Sequence, residues 1–256
     1  MTTGVGAPKQ APTVHRGPAL GPVFAAEYKL LLRSVCTKGR LIAIGLLAAL
    51  SVLTAVAVAL SNPFDPLSEG VGFVNGNIAT LIPVAVLVFG AAVIGDLIDD
   101  GSLVYLWLRP VPTWVHVLAA WAATVTIVVP LVLVPVVAAT AIIDTAPELI
   151  GAAALGGLVA VAGYAGIFVM LGIRFRRALP WGLVYILIWE GFVASAGKTA
   201  TKLALRSYVR SILGTMTDTH LKLGEFSLAA GIIVPLLVAA AALLYASRRL
   251  AKTDVA

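Results

Sequence analysis

The sequence predicts an all-α polytopic membrane protein. Six transmembrane helices are expected, with an interfacial helix before the first and an external amphipathic helical segment between the fifth and sixth. Three observations carry this. Sixty per cent of the 256 residues are hydrophobic and only 12% are charged, against about 25% charged in soluble domains. Mean hydropathy is +1.02, and apolar runs long enough to cross a bilayer recur along the chain. Strand-length alternation is missing, which argues against an outer-membrane barrel.

Residues 1–20 are rich in Gly, Pro, Ala and Thr and read as a flexible tail preceding a single domain over 21–256. No signal peptide is expected, because the first apolar run starts only near Leu41. From Pro22 to Arg40, Phe24, Leu31, Leu32 and Val35 share one side of a helix, and Glu27, Lys29, Arg33, Lys38 and Arg40 take much of the rest. This pattern fits a helix lying on the membrane with its cations toward lipid headgroups. A basic juxtamembrane stretch without fixed structure is the alternative.

The spans are expected at 41–60, 78–98, 115–143, 149–173, 179–196 and 226–246. Ser61–Asn77 reads as a loop holding Asp65 and Glu69. Pro130 and Pro135 mark kink sites in the third span. Six glycines in the fourth, Gly151, Gly156, Gly157, Gly163, Gly166 and Gly172, allow close helix contact. Thirteen of the 18 Lys and Arg fall on the side that holds both ends of the chain. That side is therefore expected to be cytoplasmic, with the chain in the cell membrane. The net charge of +6 follows from this topology and does not call for nucleic acid. A single cysteine, Cys36, excludes an intrachain disulfide.

In the segment 197–225, Lys198, Lys202, Arg206 and Arg210 recur every four residues, while Leu205, Tyr208, Val209, Ile212 and Met216 favour another side. An amphipathic helix resting on the outer surface, or dipping into it, is expected. Glu190, Arg206, Tyr208 and Arg210 form a candidate external gate. A solvated charged face is the plainer reading of the basic stripe, and a substrate gate the sharper one. Glu190 itself is either a functional carboxylate within the membrane or a structural one bonded to the basic segment after it.

The connection between the second and third spans, Ile94–Trp114, reads IGDLIDDGSLVYLWLRPVPTW. It resembles the segment E-x-x-x-G-[TS]-L-x-x-L-L-x-R-P-V-x-R of permeases of bacterial type-2 ABC transporters. Gly101-Ser102-Leu103 and Arg109-Pro110-Val111 carry the likeness. The acidic position falls to Asp96, Asp99 or Asp100, and Pro112-Thr113-Trp114 stands where Arg is usual. The run Tyr185–Gly191, with Trp189-Glu190, and Arg206-Ser207-Tyr208 are also similar to bacterial members. The resemblance covers about residues 21–250. It implies an N-terminal elbow helix, six spans, a cytoplasmic coupling element and an external helical segment before the last span.

Read from the residues, Asp99, Asp100, Tyr105, Trp107 and Arg109 suit either docking into a partner's groove or anchoring at headgroups. The resemblance implies docking. Asp96, Asp99, Asp100, Gly101, Ser102, Tyr105, Trp107, Arg109 and Pro110 would then couple the chain to a separate ATP-binding subunit. A second permease subunit, identical or related, would complete the pathway within the lipid bilayer. The stretch Gly191–Thr199 has five residues between its glycines where a phosphate-binding P-loop has four, and it follows a span. No ATP site is expected on this chain, so ATP and Mg²⁺ belong to the partner subunit. His15, His116 and His220 are scattered and predict no metal site. A membrane scaffold without transport activity is the alternative of another class. A lipid-modifying enzyme resting on Asp96, Asp99 and Asp100 is a weaker one.

Overall fold

A computed structural model describes residues 20–101, 111–192, 198–221 and 226–252. The calls on residues 1–19 and on Ser102, Tyr105, Trp107, Arg109 and Pro110 lie outside them. Among the described residues the regular structure is entirely helical: α1 (Leu20–Val35), α2 (Lys38–Leu60), α3 (Pro66–Ala79), α4 (Leu81–Asp99), α5 (Thr113–Val128), α6 (Val134–Ile143), α7 (Pro147–Arg174), α8 (Ala178–Val184), α9 (Lys198–Thr201), α10 (Leu205–Thr217) and α11 (Leu228–Leu250). Five stretches are long and apolar enough to cross a membrane: Lys38–Leu60, Pro66–Asp99, Thr113–Ile143, Pro147–Arg174 and Leu228–Leu250.

Two elements depart from the expectation. Most of the predicted loop Ser61–Asn77 is helix α3. Asp65 caps it by accepting a hydrogen bond from the Ser68 N–H at 3.1 Å, and Pro66 occupies its first turn, where a missing N–H costs nothing. The helix breaks at Thr80, whose φ is −130° and ψ −68°. Pro83 explains the break: in a continuous helix its ring would meet the carbonyl of Ala79. The second departure is the fifth span, where the apolar helix is described only from Ala178 to Phe192. That length covers roughly 22 Å of a hydrocarbon core about 30 Å thick. Its second half, Tyr185–Phe192, is π-helical.

The third span follows the proline expectation. Pro130 lies in a π-helical turn, Val129–Leu133, that joins α5 to α6, as expected where a proline disturbs the hydrogen-bond ladder. Gly101, at φ +69°, ends α4 in the left-handed conformation that favours glycine.

Helix α7 is the centre of the bundle, with α4, α10 and α11 packed on it. Its glycines make that packing close. A Cβ at Gly166 would lie 2.6 Å from Ala239 Cα of α11, and one at Gly172 would collide with the Ala91 carbonyl of α4. Helix α1 packs along α5 and α4 through Leu31 and Val35, which are buried. Glu27 is buried on the same face, a correction to its placement among the outward charges. Arg40, Asp96 and Phe175 line one pocket, so the start of α2 and the ends of α4 and α7 meet at one end of the bundle, here called basal. Gly70 of α3 faces Leu149, and Gly151 faces Met216. The start of α7 thus lies beside α3 and the end of α10 at the opposite, apical end.

A methyl group added at Gly166 meets backbone, whereas at Gly151 it meets only the flexible tip of Met216, at 3.2 Å. Gly166→Ala is expected to cost about 1–3 kcal/mol through overpacking, and Gly151→Ala much less. Thermal unfolding of the detergent-solubilised variants checks this. Equal unfolding temperatures would rule out the close α7–α11 contact.

Candidate functional site

At the basal end, Arg40 Nη2 lies 2.8 Å from Asp96 Oδ2. Both side chains are partly exposed, so the pair contributes at most about 1 kcal/mol. It does fix the start of α2 beside the end of α4. Asp96 and Asp99 line a cavity of about 410 Å³ with Arg40 and Arg177. Asp100 and Gly101 are exposed at the end of α4. Arg177 turns the chain sharply at φ +57° between α7 and α8. Phe175 stacks on Trp181 with ring centroids 5.3 Å apart, and the Arg174 guanidinium lies 5.0 Å over the Phe175 ring. Trp181 is 55% exposed. A mixed-charge rim with an accessible aromatic pair therefore borders the connection 102–110. Such a surface suits contact with another polypeptide.

A second polar cluster lies inside the bundle. Helix α10 does not rest on the surface. Leu205, Val209, Ile212 and Leu213 are buried, and α10 packs against α7, α11 and α3. It runs antiparallel to α7: Met216 faces Gly151, Val209 and Ile212 face Gly156, and Leu205 faces Gly163. Its N-terminus thus lies deep in the bundle, where free backbone N–H groups are costly. Glu190 supplies the acceptors. Its Oε1 accepts from the Leu205 N–H at 3.0 Å and its Oε2 from the Arg206 N–H at 3.0 Å. The Tyr185 hydroxyl donates to Oε1 at 2.7 Å. The partners of this carboxylate are backbone and Tyr185, not the basic side chains. Tyr164, fully buried, brings its hydroxyl toward Glu190 without completing a hydrogen bond.

Of the other predicted gate residues, Arg210 is buried and donates from Nε to Asn75 Oδ1 of α3 at 2.6 Å. That removes it from a solvated stripe. Tyr208 donates to the Lys202 carbonyl at 2.8 Å and stacks on Phe226 at 4.4 Å. Burial lowers the pKa of both Arg206 and Arg210, the latter to about 10, with the charge of Arg206 adding to the effect on Arg210.

Arg206 also lines an open cleft of about 750 Å³ between α2, α3 and α4. The cleft exists because α2 leans on α6 and makes few contacts with α3 and α4. Across it, Ser51 Oγ donates to Asn77 Oδ1 at 2.7 Å. Gly72 and Gly76 face open space.

Sequence reasoning missed Asn75 and Asn77, which fall in the stretch read as a loop. It missed the role of Tyr185, whose separation of five from Glu190 suits a π-turn and not the 3.6-residue period. It also missed the buried pair of Glu27 and His116, with Oε2 and Nδ1 2.8 Å apart. That contact has the distance of an ion pair without good hydrogen-bond geometry, and Glu27 Oε1 is buried without a partner among the described residues. Comparison with known proteins finds no matching family model and no matching curated protein.

Glu190→Ala is expected to destabilise the protein by about 3 kcal/mol, since two buried N–H groups lose a charged acceptor. Glu190→Gln keeps one acceptor and should cost about half as much, and Tyr185→Phe about 1 kcal/mol. Thermal unfolding of the three variants would show this order. An alanine variant as stable as the wild type would mean that α10 does not depend on this cap.

Proposed function

We propose that this chain is the transmembrane permease subunit of a type-2 ABC transporter, working as an exporter. Two such subunits, identical or related, form the substrate pathway, and two separate ATP-binding subunits dock at the basal end. The basal end is cytoplasmic in this reading, because it lies on the Lys- and Arg-rich side of the expected topology. The chain then has six spans in the cell membrane, and the short helix Ala178–Phe192 belongs to the fifth. Helix α1 is the elbow helix, and α10 is the external segment folded into the apical half.

The observation that carries the reading is the convergence at the basal end. The end of α4 and the start of α5 flank the connection 102–110. The Arg40–Asp96 pair and the rim of Asp99, Arg177 and Phe175 lie at the end of α4. A partner pressing on that connection therefore acts on α2, α4, α5 and α7 together, and can tilt them as rigid bodies. The sequence of the connection, with Trp107 and Arg109-Pro110-Val111, supplies the aromatic and cationic anchors that such docking uses. ATP binding draws the ATP-binding subunits together, and hydrolysis resets them. The catalytic groups, with ATP and Mg²⁺, reside on those subunits.

The test is co-purification in mild detergent, followed by an ATPase assay. A stoichiometric ATP-binding partner is expected. Trp107→Ala with Arg109→Ala should weaken the association by about 2 kcal/mol, roughly thirtyfold, and reduce ATPase stimulation accordingly. Unchanged stimulation would sink the coupling assignment. A pure, stable assembly of this chain alone would favour a membrane scaffold instead.

A further inference from the structure

The cleft between α2, α3 and α4 holds one feature that the bundle does not use. Its wall is formed by apolar side chains and a few hydroxyl and amide groups, with Arg206 the single charged residue lining it. Among the described residues the Arg206 side chain makes no ion pair or hydrogen bond, and its Nε is buried without a partner. The nearby carboxylate, Glu190, is committed to the N–H groups of Leu205 and Arg206 and to the Tyr185 hydroxyl. A half-buried guanidinium against apolar walls is costly to leave without a contacting partner. Glu190 offsets part of that cost through space, but no ion pair or hydrogen bond to the Arg206 guanidinium forms among the described residues.

The cleft has the right shape to admit an anion with an apolar body. Its volume of about 750 Å³ lies within the roughly 300–1,000 Å³ of small-molecule sites. The room comes from Gly72 and Gly76, whose Cβ positions face open space. Leu47 and Leu50, half exposed on α2, form an apolar rim toward the outside of the bundle. Ser51 and Asn77 satisfy each other across the wall, so they make few demands of their own on a ligand.

We propose that this cleft binds a hydrophobic organic anion of the alkyl carboxylate class. The chain lies along Leu47, Leu50, Phe73 and Val84, and the carboxylate pairs with Arg206. The binding site stands on the cleft alone. That the bound anion is the transported cargo rests on the permease reading above.

The test uses the full-length protein in nanodiscs of zwitterionic lipid, with a fluorescent long-chain fatty acid as probe and its methyl ester as the neutral twin. The acid should bind saturably and about tenfold more tightly than the ester, as expected for one charged hydrogen-bonded pair. Arg206→Gln should abolish that preference while leaving ester binding unchanged. Gly76→Leu, whose Cβ would enter open space and whose branched end would occupy the cleft, should abolish saturable binding of both probes with thermal unfolding still cooperative. Equal binding of acid and ester by the wild type overturns the proposal. So does an undiminished preference in folded Arg206→Gln protein, or saturable acid binding that survives Gly76→Leu. If Arg206→Gln fails to fold, the Gly76→Leu arm decides alone. Binding is read on this chain without its partner. Saturable binding with no ATP-binding partner on co-purification would therefore overturn the permease reading and leave the site standing, and ATP-driven movement of another solute without acid binding would do the reverse.

Discussion

A helix that begins inside an apolar bundle must bring its own acceptors, and this constraint organises the second half of the chain. The first N–H groups of α10 lie beside Gly163 of α7, where an unpaired N–H is costly. The Glu190 carboxylate meets two of them and also offsets the positive end of the helix dipole. To reach them it sits at the end of a short apolar helix whose last turns are π-helical, which places Tyr185 within bonding distance of it. Removing the cap would leave the N–H groups of Leu205 and Arg206 unpaired in an apolar setting, with a buried apolar face on α10 still to be packed.

The same helix ties the apical half together. Arg210 reaches Asn75 of α3, and Asn77 of α3 reaches Ser51 of α2. A chain of polar contacts therefore runs from α10 through α3 to α2. It crosses the region where Thr80 and Pro83 break the helical run from Pro66 to Asp99. Because α2 is otherwise held mainly by α6, the Ser51–Asn77 bond is one of few ties across the cleft. A single neutral hydrogen bond contributes only about 1 kcal/mol. The spacing of α2 from α3 is thus easier to change than the spacing of α4 from α7, where backbone meets backbone at Gly172.

Because bilayer-length apolar runs leave little freedom in where a helix can lie, hydropathy located four of the five long apolar helices to within a few residues; it missed the first twelve residues of Pro66–Asp99. The glycines of α7 and the disturbance at Pro130 were legible for the same reason: each acts locally, through volume or a missing N–H. What escaped was set by distant partners. Asp65 and Glu69 made 61–77 look like a loop, although Asp65 is a cap and Glu69 lies in the first turn of α3. Glu27 looked like one more surface charge, because nothing in its own helix announces His116. Arg210 continued a basic stripe at the spacing of a solvated face, yet it points to an asparagine in α3. Glu190 was expected either as a functional carboxylate or as one bonded to the segment after it; it does bond that segment, but through the backbone N–H groups of Leu205 and Arg206, which no side-chain pattern reveals.

The two buried carboxylates are held differently, and the difference bears on how motion could pass through the bundle. Glu190 has three donors at 3.0 Å or less, so it behaves as a rigid joint. Glu27 has one close partner, His116, and an oxygen left over. His116 lies in the first turn of α5, the helix that follows the connection 102–110. The partly exposed Arg40–Asp96 pair contributes at most about 1 kcal/mol. Helix α2 is thus held to α4 less firmly than α1 is held to α5. The α2 side is also where the cleft is open, so the weakest basal tie and the weakest tie across the cleft belong to the same helix.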